Sequence, residues 1–168
     1  MRRGALVTIR RSALLHNMQI IKLLAGDAKV WVVVKANAYG HGAVAVAKML
    51  KDADGFAVAT FGEAIELRQE GIEQQILLLE GCLNVGQMQT AIENNFLLVL
   101  HDLEQVNWFL KLKCKQPVSV WIKVDTGMHR LGMMPEQIDA AVNQLQGSKN
   151  CKSIGLMTHM AFADETDH

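Results

Sequence analysis

Cysteine is scarce in this chain of 168 residues and poorly placed for cross-linking: Cys82, Cys114 and Cys151 are odd in number, far apart, and form no Cys-x-x-Cys pair. That excludes a disulfide framework and a clustered-cysteine zinc site, and leaves free thiols in a reducing cytosol as the simpler reading. No metal is expected. An excess of charge is also missing, because 17 basic residues balance 17 acidic ones, and neither sign gathers into a stripe or a tail. A nucleic-acid partner is therefore not expected. Long apolar runs are absent too, and Arg10 and Arg11 interrupt the one stretch with some signal-peptide character, MRRGALVTIRRSALL. The expectation is a cytoplasmic protein with no membrane association. With no low-complexity segment and no Pro/Gly/Ser linker, the length fits one domain or part of one.

What the chain does contain is an alternation. Short apolar runs, VWVVVKA, GFAVAT, QILLLEG, FLLVLHD, VSVWIKVD and SIGLMTH, are separated by amphipathic segments. The runs are dense in residues that favour buried strands. The intervening helices have legible ends. Ser12 is expected to cap a helix whose apolar positions Leu14, Met18 and Ile21 share a face, and Gly26 to stop it. Thr60 with Glu63, and Asp102 with Gln105, have the spacing of a side-chain cap answered three residues later. Pro135 suits a first helical turn and Gly147 the end of the same helix. Repeated βα units argue for an α/β fold with a parallel sheet, either an open doubly wound sheet or a closed (β/α)₈ barrel.

The first Gly-rich turn, NAYGHG, carries a G-x-G without the third glycine of a dinucleotide fingerprint, so it gives no support to a nucleotide site. The polar residues at strand ends are more informative. Lys35, Lys123 and His159 each fall at or near the C-terminal end of an apolar run, and Arg130 lies in the turn after the fifth. In a barrel those ends converge on one mouth. Taken singly, each has an ordinary reading: a lysine whose stem snorkels along the core, a rim tyrosine at Tyr39, an Arg130 paired with Asp125, a hydrogen-bonded His159, and methionines such as Met128, Met133 and Met134 as core filler. Together they suit another chemistry. A desolvated lysine forms Schiff bases, a nearby arginine holds an oxyanion, and a tyrosine hydroxyl holds a phosphate.

The stretches VVKANAYGHG, LLLEG, KVDTGMHRLG and THMAFADE, in that order, resemble the N-terminal part of the bacterial alanine racemase family, and the resemblance runs through the whole chain. It implies a (β/α)₈ TIM-type barrel that holds pyridoxal 5′-phosphate, with a β-rich C-terminal domain from the partner subunit completing the active site of a homodimer. Carried over by position, Lys35 would form the internal aldimine and act as one of two catalytic bases. Tyr39 would donate to the cofactor phosphate, Arg130 would contact the phenolic oxygen and the substrate carboxylate, and His159 would support the ring. Lys123 corresponds to a lysine that some members carry carbamylated. Met160 lies where a phenylalanine is common and His129 at a variable position; neither touches an implied role.

The implied reaction is the interconversion of L-alanine and D-alanine by two-base proton transfer, supplying D-alanine for peptidoglycan. Six strand runs are visible where the implied barrel has eight. Residues 1–168 are thus expected to be an N-terminal segment of the barrel, without the C-terminal domain and its tyrosine base, and inactive alone. The alternatives are another barrel protein using the same cofactor, such as an amino-acid decarboxylase or a non-catalytic carrier, and an inactive, self-associating fragment.

Overall fold

A computed structural model describes residue 4 and residues 6–165. Residues 1–3, 5 and 166–168, which include the ends of MRRGALVTIRRSALL and of the terminal AFADETDH, lie outside the described residues. The apolar runs form β1 (Trp31–Val33), β2 (Gly55–Val58), β3 (Ile76–Leu78), β4 (Phe96–Leu100), β5 (Val118–Lys123) and β6 (Cys151–Met157). All neighbours pair in parallel, in the order β1-β2-β3-β4-β5-β6. A doubly wound sheet reverses its order at a switch point, and this one does not. The winding is that of the (β/α)₈ barrel.

Alternation along the strands divides the side chains between two cores. Helices α1 (Arg11–Ala25), α3 (Ala43–Met49), α4 (Phe61–Gln69), α5 (Val85–Glu93), α6 (Leu103–Lys111) and α7 (Pro135–Gln146) cover one face. There Val34, Phe56, Val58, Ile76, Leu78, Phe96, Leu98, Leu100, Val120 and Ile122 pack against Ala47, Leu67, Met88, Phe109 and Leu145. The other face carries a smaller cluster of Ala57, Leu77 and Val99, with Trp31, Leu97, Trp121 and Met157 against it. Trp31 of β1 and Met157 of β6 line one cavity of about 230 Å³ together with Leu77 and Trp121, so the sheet curls toward its own inner face. Bulky and small residues alternate around it. Trp31 is in register with Gly55, and Trp121 with Gly155.

Most helix ends behave as the sequence requires. Thr60 accepts from the Glu63 N–H, and Glu63 answers in a complete capping box. Asp102 accepts from the Gln105 N–H, but the Gln105 amide oxygen takes the N–H of His101 instead of completing the box. Gly26 ends α1 with φ 58°. Ser12 corrects the expectation: α1 begins at Arg11 with Arg10 as its cap, so Ser12 already has helical backbone and its hydroxyl is past the capping position. Only part of the expected α1 face is covered, since Met18 is buried and Leu14 packs on the core while Ile21 is 50% exposed. The methionines divide similarly. Met18, Met88 and Met133 are core, but Met128 and Met134 are exposed. The three cysteines are free thiols, and burial pushes the Cys82 thiol up to about 12. Among the described residues no helix is long and apolar enough to cross a membrane.

The inner face tests this packing directly. A Cβ built on Gly55 meets the Trp31 ring at 2.5 Å, so Gly55→Ala is expected to cost about 1–3 kcal/mol by overpacking. Urea unfolding measures the loss, and Trp31→Leu in the Gly55→Ala background should return part of it, because the two sites are coupled.

Candidate functional site

The period of two that builds the inner core continues past the strand ends. Trp31 and Val33 are followed on the same face by Lys35, Trp121 by Lys123, and Gly155 and Met157 by His159. The strands are parallel, so these positions reach one rim, at the C-terminal ends of the sheet. Arg130 joins them from the loop after β5. It lines one small cleft with Lys123 and His159.

That loop is drawn back on its strand by two main-chain bonds, Met133 N–H to Lys123 O at 2.8 Å and Asp125 N–H to Met133 O at 2.9 Å. Gly132 sits where the two arms cross, with φ 136°, and a Cβ there would lie 2.6 Å from the Asp125 nitrogen. Asp125 holds the inside of the loop. Its Oδ1 accepts from the N–H groups of Gly127 and His129, and the His129 ring lies 3.1 Å from Oδ2. These backbone donors first, and the imidazole after them, hold the Asp125 carboxyl below the usual carboxylate range. The Arg130–Asp125 pair that the sequence offers as an ordinary reading is thus replaced by an Asp125–His129 pair. On the β6 side, the Thr158 hydroxyl donates to Val124 O at 3.0 Å and meets the Thr126 hydroxyl at 2.6 Å, which ties the segment leading to His159 to the same loop.

Lys35 opens α2 (Lys35–Tyr39), and this turn has the opposite hand. Ala36, Asn37, Ala38 and Tyr39 all have φ between 51° and 54°. Left-handed backbone costs L-residues roughly 1–2 kcal/mol each, so the run persists only where its surroundings over-determine it. Several bonds do so. The Ala38 N–H donates to Val34 O at 2.8 Å, the Gly42 N–H to Asn37 O at 2.9 Å, and the Ala43 N–H to the Asn37 side-chain oxygen at 2.8 Å. The His41 ring contacts Ala38 O at 2.8 Å. Within one short left-handed turn the chain presents half-buried Lys35 and then Tyr39, which is 61% exposed.

The electrostatics of the rim are lopsided. Lys123 is only 8% exposed, so the snorkelling reading does not apply to it. Burial first, then the positive charges of Arg130 and Lys35, push its ammonium below the usual lysine range, and Glu80 and Asp125 offset only part of this. Lys123 therefore feels the charges of Arg130 and Lys35 at a site where Glu80 and Asp125 offset them only in part. Such a site is suited to an anion. Sequence reading identifies Lys35, Tyr39, Lys123, Arg130 and His159, and all five lie at the C-terminal rim; the cleft itself brings together Lys123, Arg130 and His159. It misses the Asp125–His129 brace and the handedness of the turn. The glycines of NAYGHG and DTGMHRLG are the signal for both, since each marks backbone at positive φ.

Known proteins are similar to this chain in sequence and in fold. The profile of the family described as "Alanine racemase, N-terminal domain" matches residues 9–168. An alanine racemase of Shewanella piezotolerans is 46% identical over 158 residues, covering 94% of this chain and 44% of that protein. The biosynthetic alanine racemase of Escherichia coli is 44% identical over 163 residues, covering 96% and 45% respectively. Among solved structures, biosynthetic alanine racemase from Pseudomonas aeruginosa aligns with TM-score 0.88 at 42% identity, over 94% of this chain and 44% of that one. The chain spans less than half the length of the curated relatives it matches.

Burial of Lys123, and after it the positive charge around it, has an effect of measurable sign. Its folded-state pKa lies below the usual lysine value, so between the two the unfolded chain binds more protons and stability rises with pH. In carbon-dioxide-free buffer without added anions, Lys123→Met is expected to raise stability at neutral pH. That gain should shrink as pH approaches about 10.4, the ordinary lysine value. Denaturant midpoints across this range measure it.

Proposed function

Because the chain belongs to the alanine racemase family through its N-terminal domain, we propose that the protein interconverts L-alanine and D-alanine with pyridoxal 5′-phosphate, using Lys35 as the attachment point and as the base on one face of the substrate. The observation that carries this reading is a lysine on the inner face, at the rim of a parallel barrel sheet, near a group of cations that carboxylates offset only in part. The donor set suits the cofactor. A primary amine matches its aldehyde, and Lys123, Arg130 and the Tyr39 hydroxyl match its anionic oxygens. When bound, the cofactor supplies an electron sink that acidifies the proton on the α-carbon.

The chain's own residues then divide the remaining work. Lys35 would hold the cofactor through its amine, and the same amine, when free, would take or return the α-proton on its side of the substrate. Arg130, on a loop that Asp125 braces from within, is assigned to an oxyanion or a carboxylate. The Tyr39 hydroxyl is assigned to the phosphate, and His159 to the edge of the ring. Racemisation needs a second base on the opposite face, since a proton removed and returned on one side leaves the configuration unchanged.

Lys123 is proposed to be carbamylated. Carbon dioxide reacts with a neutral amine, and the lowered pKa of Lys123 raises the neutral fraction. The product, formed with release of one proton to solvent, is an anion beside Arg130 and within the field of Lys35, which turns repulsion into attraction and orients the guanidinium. Family membership likewise supports a homodimer that works in the cytoplasm and delivers D-alanine to peptidoglycan.

In the full-length protein, borohydride should fix pyridoxal phosphate on Lys35, and Lys35→Ala should abolish both the label and racemisation; recovery of the label on Lys123 overturns the assignment. Release of carbon dioxide from the substrate in place of racemisation would identify a decarboxylase. Tyr39→Phe is expected to weaken cofactor affinity by about 1.5–3 kcal/mol, the usual worth of a hydrogen bond to a charged group, and equilibrium titration measures it.

A further inference from the structure

Glu63 belongs to the capping box of α4, and that role accounts for only part of its carboxylate. Oε2 accepts from the N–H groups of Ala59 and Thr60, at 2.9 and 3.0 Å, in the segment that enters α4. Oε1 reaches across to the preceding βα unit and accepts from the Ala36 N–H at 2.6 Å. Ala36 follows Lys35 and is the first residue with left-handed backbone. A helix of either hand leaves its first N–H groups without partners in its own turn, and here the first bond within the turn comes from Ala38, to Val34 O. One carboxylate thus caps two helical starts of opposite hand.

We infer that Glu63 is the positioning residue of Lys35: it fixes the left-handed turn that sets the direction of the lysine and the spacing from Lys35 to Tyr39. A capping box requires no contact with β1 or with the turn after it, so Oε1 performs a task that α4 does not need. The bond is short and charge-assisted, and it ends on the amide adjoining Lys35. Because the turn opposes the intrinsic preference of Ala36, Asn37, Ala38 and Tyr39, loss of an outside acceptor favours relaxation toward right-handed or extended backbone. Either change re-aims Lys35 relative to Tyr39. The inference rests on the proposed role of Lys35 as the cofactor-attachment residue.

The test compares Glu63→Ala, Glu63→Gln and Thr60→Ala in the full-length protein. Thr60→Ala removes the other half of the same capping box, the Thr60 hydroxyl that accepts from the Glu63 N–H at 3.3 Å, and this hydroxyl makes no bond to α2. Both Ala variants are expected to lower Tm. Glu63→Ala alone should speed amide hydrogen exchange across residues 36–40 by about tenfold or more, and should weaken pyridoxal phosphate binding by about tenfold or more, consistent with loss of a charge-assisted bond. Glu63→Gln, which keeps one acceptor oxygen, should fall between. The inference is overturned if Glu63→Ala matches Thr60→Ala in both exchange and affinity. If exchange quickens as expected but borohydride leaves no label on Lys35 of the unaltered protein, the reading of Lys35 is what fails; Glu63 then only braces a turn, and its positioning role falls with that reading.

Discussion

The register of the parallel strands is the constraint on which everything else depends. Side chains alternate with a period of two, so each strand has one correct phase: Val32 and Val34 to the helices, Trp31, Val33 and Lys35 to the inner face. A slip of one residue would put Lys35 among the helix-facing apolar residues and turn Val34, now 1% exposed, toward the barrel mouth. The same phase in β5 sends Trp121 and Lys123 inward. Packing of Trp31 over Gly55 and Trp121 over Gly155 locks that phase, because the ring fits only where the neighbouring strand has no Cβ. The hydrophobic pattern that drives folding therefore also delivers the polar chemistry to one rim.

The rim then acquires its charge by the way its carboxylates are used. Asp125 is occupied by the backbone of its own loop and by His129, and Glu63 by the N–H groups of Ala36, Ala59 and Thr60. Both are structural braces, and neither forms an ion pair with Lys35, Lys123 or Arg130 among the described residues. Positive charge is left facing the mouth. Two strained or folded-back loops carry Lys35, Tyr39 and Arg130, and each is held by an acidic residue whose oxygens are engaged within the fold.

Much of this was legible in the chain as written. The six apolar runs correspond one to one with strands, and Thr60, Asp102, Gly26 and Pro135 mark helix ends for local reasons that need no tertiary information. Ser12 and Ile21 misled because capping potential and apolar character are properties of a residue, whereas the start of α1 and the width of its covered face are set by what packs against it. Met128 and Met134 failed in the same way. Gln105 shows a finer case: spacing permits the box with Asp102, but a nearby N–H on His101 takes the amide oxygen.

Sequence by itself determined the element order, the parallel sheet, and the identity of the polar residues at the strand ends, since these follow from periodicity and from short-range chemistry. Periodicity left the doubly wound and barrel windings open, and only the resemblance pointed to the barrel that the strand order then showed. Only the tertiary structure decided which of those residues share a field, that Asp125 turns to His129 and not to Arg130, and that the turn after β1 is left-handed. Those outcomes depend on competition between partners distant in the chain, such as Glu63 reaching Ala36 across a strand boundary. A string of residues shows which bonds are possible. The packed sheet brings donors and acceptors to bonding distance, and distance decides among them.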